Sequence, residues 1–182
     1  MSKPLIVVFG SSRTKEQRHL DAAERLGELL ATAKFDVGSG GYTAVMNAVS
    51  KGAYQAGGHV IGYTTDEFPE AVPTPWLTEE RRTADIHLRI QSMLAEGDGF
   101  IATWGGIGTL VEVTFAWNVG QFIAERDLPH KPLLLVGAHW QPLVQSIAAQ
   151  TEIGSSVLSY PVLVDTVEEA VAYLSENIGN KK

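Results

Sequence analysis

At 182 residues the chain has the length of one domain and can bury a core without disulfides or a structural metal. Hydrophobic residues make up 45% and charged residues 19%, and there is no cysteine, which excludes disulfides and thiol catalysis. A formal net charge of −7 disfavours attachment to nucleic acid or to an anionic membrane, so an anionic ligand has to be captured locally, by helix N-termini and single arginines.

The opening Met1-Ser2-Lys3-Pro4 leads into an apolar run at 5–9 that is too short for a signal segment or a membrane span, and the expected location is cytoplasmic. That run predicts a first strand, followed by Gly10-Ser11-Ser12 and a helix over about 15–33. A second strand at 35–37 runs into Gly38-Ser39-Gly40-Gly41 and a helix over about 43–56. A third strand at 60–63 is followed by a connection over 64–77 containing three prolines, with Asp66, Glu67, Glu79 and Glu80 in or near it. A helix is predicted over 78–96, then a strand at 100–103, the turn Gly105-Gly106-Ile107-Gly108 and a helix over about 109–125. Strands at 133–136 and 162–164, each with a helix behind it at about 140–150 and 167–178, complete the pattern.

Short runs of Val, Ile and Leu that alternate with helices read as βαβ units around a buried parallel sheet. The expected fold class is therefore α/β: a three-layer, doubly wound, Rossmann-like sheet, mostly parallel, in a single domain over 1–179 with a tail at 180–182. Ligands of such sheets bind beyond the carboxyl ends of the strands, where three turns are rich in glycine or serine. Glycines let backbone N–H groups crowd around an anion, and a helix N-terminus adds partial positive charge. Gly10, Ser11, Ser12, Gly40, Gly41 and the run Gly105, Gly106, Ile107, Gly108 and Thr109 are accordingly the candidate phosphate-binding positions. The first turn is not Gly-x-Gly-x-x-Gly, and Gly-x-x-x-x-Gly-Lys-Ser/Thr is absent, which argues against a dinucleotide fingerprint and a P-loop.

Two residues carry the chemistry. Glu112 is expected on the first turn of the helix behind the third glycine turn, where Thr109-x-x-Glu112 also matches a capping box that would only stabilise the helix. The helix around it (Leu110, Val111, Val113, Phe115, Ala116, Trp117, Val119, Phe122, Ile123) is apolar on nearly every face, so it is buried or sits in a subunit interface. A poorly solvated carboxylate beside an anion site has its pKa raised, as general acid–base or nucleophilic work requires. Arg89 falls at the edge of the stripe Ile86, Ile90, Met93 and Leu94. It is read either as an arginine snorkelling over apolar surface or as a planar donor fork aimed at a phosphate or carboxylate. The five histidines show no metal-ligand spacing, so no metal is assigned. Among the tryptophans, Trp104 beside the glycine turn is the one placed to touch a purine.

At these residues the chain resembles the LOG ("lonely guy") family, whose members were often labelled possible lysine decarboxylases. The resemblance covers about 5–164 and runs through Val8-Phe9-Gly10-Ser11-Ser12, Asp21-Ala22-Ala23-Glu24-Arg25-Leu26-Gly27 and Ser39-Gly40-Gly41-Tyr42-Thr43-Ala44-Val45-Met46. It continues in His87-x-Arg89-x-x-x-Met93 and in Gly105-Gly106-x-Gly108-Thr109-x-x-Glu112, the most specific of these motifs. It implies a Rossmann-type homodimer, without cofactor, that hydrolyses nucleoside 5′-monophosphates, including cytokinin nucleotides, to a free base and ribose 5-phosphate. Arg89 and Glu112 would be its catalytic arginine and glutamate, and Gly105 to Thr109 its phosphate turn. A decarboxylase would instead need a lysine in Schiff-base linkage to pyridoxal phosphate. The chain departs from the family pattern at Trp104 (commonly proline), Ile90 (often lysine), and Ala44 and Asn47 (often glycine). Related members of the wider superfamily bind nucleotides or carry the molybdenum cofactor without being hydrolases, which makes a non-enzymatic carrier the alternative reading.

Overall fold

The computed structural model describes residues 3–125 and 129–178; the tail expected at 180–182 and the side chain of Ile123 fall outside the described part. In chain order the elements are β1 (Leu5–Phe9), α1 (Gln17–Thr32), β2 (Asp36–Ser39), α2 (Val45–Gln55), β3 (Val60–Thr65), β4 (Glu79–Thr83) and α3 (Ile86–Glu96). Then come β5 (Gly99–Ala102), α4 (Ile107–Glu125), β6 (Leu133–Val136), α5 (Trp140–Gln150), α6 (Ser155–Leu158), β7 (Pro161–Val164) and α7 (Val167–Asn177). All seven strands join one sheet in the order β4-β3-β2-β1-β5-β6-β7, and every neighbouring pair is parallel.

β1 is fully buried, and its alternation assigns it to two cores. Ile6 and Val8 pack with Leu26, Leu30, Val49 and Leu174 under α1, α2 and α7. Val7 and Phe9 face the other way, toward Met93, Val113, Trp117 and Trp140 of α3, α4 and α5. A run apolar at every position belongs to a strand covered on both faces, and these two layers of helices are its covers. The chain winds outward from β1 through β2, β3 and β4, then returns to the other side of β1 with β5. The switch point between β1 and β5 therefore opens a crevice at their carboxyl ends.

One predicted element is corrected. Residues 79–83, expected inside a helix over 78–96, form the edge strand β4, which pairs with β3 from Ile61↔Glu79 to Thr65↔Thr83. Glu and Arg favour helix locally, but Glu79 to Arg82 offer no apolar stripe to hold a helix on the sheet, whereas the free edge of β3 supplies a hydrogen-bonding ladder. The helix begins only after Asp85, whose carboxylate accepts the Leu88 N–H at 2.8 Å. Charges along β4 are paired, Arg81 with Glu79 and Glu96, Arg82 with Asp66. At the last helix the cap read at Thr166 is present, its hydroxyl accepting the Glu169 N–H at 3.2 Å. Among the described residues no helix is long and apolar enough to cross a membrane.

Candidate active site

Backbone hydrogen bonds draw the turns after β1, β2 and β5 to one edge of the sheet. The Ser11 N–H donates to the Trp104 carbonyl at 2.8 Å, tying the serine turn to the glycine turn, and the Val45 N–H at the head of α2 donates to the Ser11 carbonyl at 3.0 Å. Ser11 also folds its own loop, its hydroxyl accepting the N–H groups of Arg13 and Thr14. The Ser12 carbonyl accepts the Thr43 hydroxyl at 2.9 Å.

Packing accounts for several of the glycines. A Cβ on Gly10 would lie 2.3 Å from Val45 Cγ1, one on Gly40 would lie 2.0 Å from Arg89 Nη2, and one on Gly105 would lie 2.1 Å from Thr109 Oγ1. Gly41 has φ +76°, the left-handed region that favours glycine. Gly106 and Gly108 differ: a Cβ on either would meet nothing within 4 Å, so their backbones border open space.

α4 begins at Ile107, two residues before the expected cap. Thr109 is thus inside the first turn, buried beneath Gly105, and the expected capping box does not form. Glu112 moves from the first turn to the second. The Leu110 N–H is taken by the Gly106 carbonyl at 3.0 Å. Among the described residues the N–H groups of Ile107, Gly108 and Thr109 make no hydrogen bond, and they carry the positive end of the α4 dipole.

Arg89 is 6% exposed. Its Nε donates to the Tyr63 carbonyl at 2.6 Å and its Nη2 to the Gly40 carbonyl at 3.0 Å, with Met46 Sδ at 3.9 Å and the Tyr42 ring centroid 5.7 Å from Cζ. This is neither the snorkelling arginine nor a free fork, because two of the three guanidinium nitrogens fasten β3 to the turn after β2. The remaining nitrogen, Nη1, stands 4.0 Å from Glu112 Oε1, in ion-pair range but beyond a hydrogen bond. Burial lowers the Arg89 guanidinium from its usual value, opposed by Glu112. Burial pushes the Glu112 carboxyl up to about 7 despite the pull of Arg89. The Glu112 side chain keeps 13% of its surface exposed, so it is shielded and still reachable.

The acids considered for the long connection are engaged elsewhere. Glu67 accepts the Ile86 N–H at 2.9 Å, Glu80 accepts the Thr64 hydroxyl at 2.6 Å, Glu79 pairs with His59 and Arg81, and Asp66 pairs with Arg82. The connection itself reaches the site: the Thr74 N–H donates to the Gly41 carbonyl at 2.8 Å, and the Thr74 hydroxyl donates to Asn47 Oδ1 at 2.6 Å. Tyr42, which the sequence reading placed in the Ser39–Met46 motif without a role, supports the site by bracing Arg89 and accepting the Thr65 N–H at 2.9 Å. Both faces of the Trp104 indole are covered by imidazoles, His19 at 4.4 Å and His139 at 3.6 Å between ring centroids, so it has no face left for a purine.

Among the described residues no buried lysine stands at this edge, where Lys15, in the connection after β1, is exposed. Lys131, which burial draws below its usual pKa, precedes β6 at the opposite edge and donates to the Leu94 and Ala95 carbonyls. Lys51 pairs with Glu24. Among the described residues no cluster of three His, Asp or Glu could hold a metal ion.

The family model described as possible lysine decarboxylase matches residues 46–174, a span that includes Arg89 and the whole Gly105–Glu112 motif. A probable cytokinin riboside 5′-monophosphate phosphoribohydrolase of Oryza sativa subsp. japonica is 33% identical over 179 residues, covering 93% of this chain and 71% of the rice protein. A cytokinin riboside 5′-monophosphate phosphoribohydrolase of Arabidopsis thaliana is 32% identical over 181 residues, covering 94% of this chain and 81% of that protein. In fold, the chain matches the molybdenum cofactor binding protein of Rippkaea orientalis with a TM-score of 0.79 at 22% identity, covering 97% of this chain and 98% of that one. With the arginine, the glutamate and the glycine turn on one sheet edge and these relatives over nearly the full length, the chain belongs to the LOG family, the group whose model carries the possible lysine decarboxylase description.

Proposed function

We propose that the protein is a nucleoside 5′-monophosphate phosphoribohydrolase, cleaving the N-glycosidic bond of a purine nucleotide to free base and ribose 5-phosphate. The observation that carries this reading is the juxtaposition of a buried carboxylate, Glu112, with Arg89 Nη1 at 4.0 Å, one turn behind the unpaired amides at the head of α4. The names of the rice and Arabidopsis relatives support the same reaction class.

The 5′-phosphate sits on the N–H groups of Ile107, Gly108 and Thr109, beside Gly106 and Gly108, with the turns at Gly10-Ser11-Ser12 and Gly40-Gly41 forming the rest of the cradle. The ribose then lies over Glu112. As the bond from C1′ to the base nitrogen breaks, the base leaves with the electron pair and takes a proton from solvent, while positive charge grows at C1′. The Glu112 carboxylate stabilises that charge and takes a proton from the water that adds to C1′. Arg89 keeps the carboxylate oriented and offers Nη1 to the substrate side. The connection over 64–77, fastened to Gly41 through Thr74, faces the base and sets its identity.

The unit is a homodimer. Ile107, Val111, Phe115 and Phe122 recur at helical spacing along one exposed side of α4, with Ile107 77% and Phe115 51% exposed. A second copy would cover this stripe.

Release of free base from AMP and other purine nucleotides tests the reaction, with Glu112→Gln as the isosteric control. The variant is expected to lose about 10²–10³-fold in kcat. The wild-type rate is expected to rise with pH through about 7 as Glu112 ionises, and to level off above it. A folded Glu112→Gln protein with undiminished turnover overturns the role. Nucleotide or molybdenum cofactor retained through purification, with no turnover of any nucleotide, identifies a carrier instead.

A further inference from the structure

The phosphate turn contains three glycines within four residues, Gly105 to Gly108, and two of them border open space. Such a segment is mobile on its own and would have to be ordered whenever an anion binds. The residue that leads into it is held on both ring faces. Trp104 stacks against His19 from the start of α1, with ring planes 17° apart, and against His139 from the head of α5, with planes 15° apart. Its carbonyl accepts the Ser11 N–H. Gly137, at φ +105°, turns the loop after β6 so that the His139 ring lies across the indole. Three rings from three separate segments of the chain therefore meet at one point, the last side chain before the glycines.

We propose that Trp104 is a positioning residue for the phosphate turn: clamped between His19 and His139, it fixes the entry of the Gly105–Gly108 backbone and hence the aim of the α4 amides. This rests on the reading of that turn as the phosphate site. Because both indole faces are occupied, Trp104 acts through the turn and not by stacking on the base. The clamp favours neutral imidazoles, since His19 Nε2 and His139 Nδ1 are buried without a hydrogen-bond partner and a charged ring needs acceptors for both N–H groups. The Thr14 hydroxyl, Arg18 and Glu16 face His19, while Trp140 and, across the indole, His19 face His139. Burial lowers the pKa of both imidazoles, so the clamp is intact above about 6.5, the ordinary histidine value, and weakens as pH falls below it.

The test is steady-state kinetics on AMP with Trp104→Ala, Trp104→Phe and the double variant His19→Phe/His139→Phe. Trp104→Ala is expected to raise KM about tenfold with kcat within about threefold, the pattern of lost uniform binding, and Trp104→Phe to restore most of the KM. The double variant retains rings that cannot be protonated. It is expected to keep the wild-type KM at pH 7.5 and to lose the part of the KM rise between about pH 6.5 and 5 that comes from the clamp. Glu112 and the substrate phosphate titrate in the same region, so the difference between wild type and double variant is the quantity read. A wild-type KM in Trp104→Ala, or the same acid-side KM rise in the double variant as in wild type, overturns the proposal. If the wild-type protein turns over no nucleotide, the hydrolase reading fails by itself. Calorimetric affinity for AMP and ribose 5-phosphate then judges the clamp, with the same tenfold loss expected in Trp104→Ala and wild-type affinity overturning it.

Discussion

Glu112 is held in a place that suits catalysis and opposes stability. Its carboxyl loses a proton near 7 in the folded protein and near the ordinary 4.5 in the unfolded chain. Between these values the folded state binds more protons, so stability falls as pH rises from about 4.5 to about 7. Glu112→Gln removes that dependence. The variant is expected to be more stable than wild type at pH 8 by about 1–3 kcal/mol, the upper end being the full linkage value and the lower end allowing for the charge removed from opposite Arg89. The advantage should vanish below about pH 4.5, and urea titrations at the two pH values measure it. Wild type as stable as the variant at both would contradict the buried, raised carboxyl. The sequence singled out both Glu112 and Arg89 as candidates, because a motif and a helical stripe are local patterns, and the structure sets them 4.0 Å apart. The sequence could not reveal that two nitrogens of Arg89 are committed to the carbonyls of Tyr63 and Gly40, since those partners come from other strands.

Turns and helix ends show where local pattern and tertiary structure part. Gly40 and Gly106 look alike in sequence, yet a Cβ on the first would lie 2.0 Å from Arg89 Nη2 and 2.5 Å from Met46 Sδ, while one on the second meets nothing. Gly40→Ala is therefore expected to displace Arg89, lowering kcat by at least about tenfold and stability by about 1–3 kcal/mol. Gly106→Ala should stay within about 1 kcal/mol of wild type and lose nucleotide affinity instead, because its backbone borders the open space proposed for the phosphate. Thermal melts together with AMP titrations separate the two; equal behaviour would remove the distinction drawn between them. Six of the strands were legible as short apolar runs. β4 was not, because an edge strand made of Glu and Arg has no apolar alternation and is defined by the neighbour it pairs with. The start of α4 was misjudged for a similar reason: Thr109 has the chemistry of a cap, but it packs under Gly105, inside the helix.

For the whole molecule, the exposed stripe on α4 predicts self-association. Phe115→Asp places a charge in the middle of Ile107, Val111 and Phe122, and is expected to convert a dimer into a monomer at micromolar concentration with the fold unchanged. Sedimentation of both proteins measures this, and a monomeric wild type would remove the proposed interface. The apolar character of α4 was plain in the sequence. Which side it turns outward was not, because almost every position is apolar, and only the packing of Val113, Ala116 and Trp117 against the sheet decides it. The strand order has a consequence in time. β1 leaves the ribosome before β2 to β7 and lies in the middle of the sheet, but the strand on its second side, β5, begins only at Gly99. Nascent chains that end short of β5 thus carry an open apolar strand edge, the kind of edge that recruits chaperones or other chains. Closure by β5 turns that hazard into the floor of the crevice.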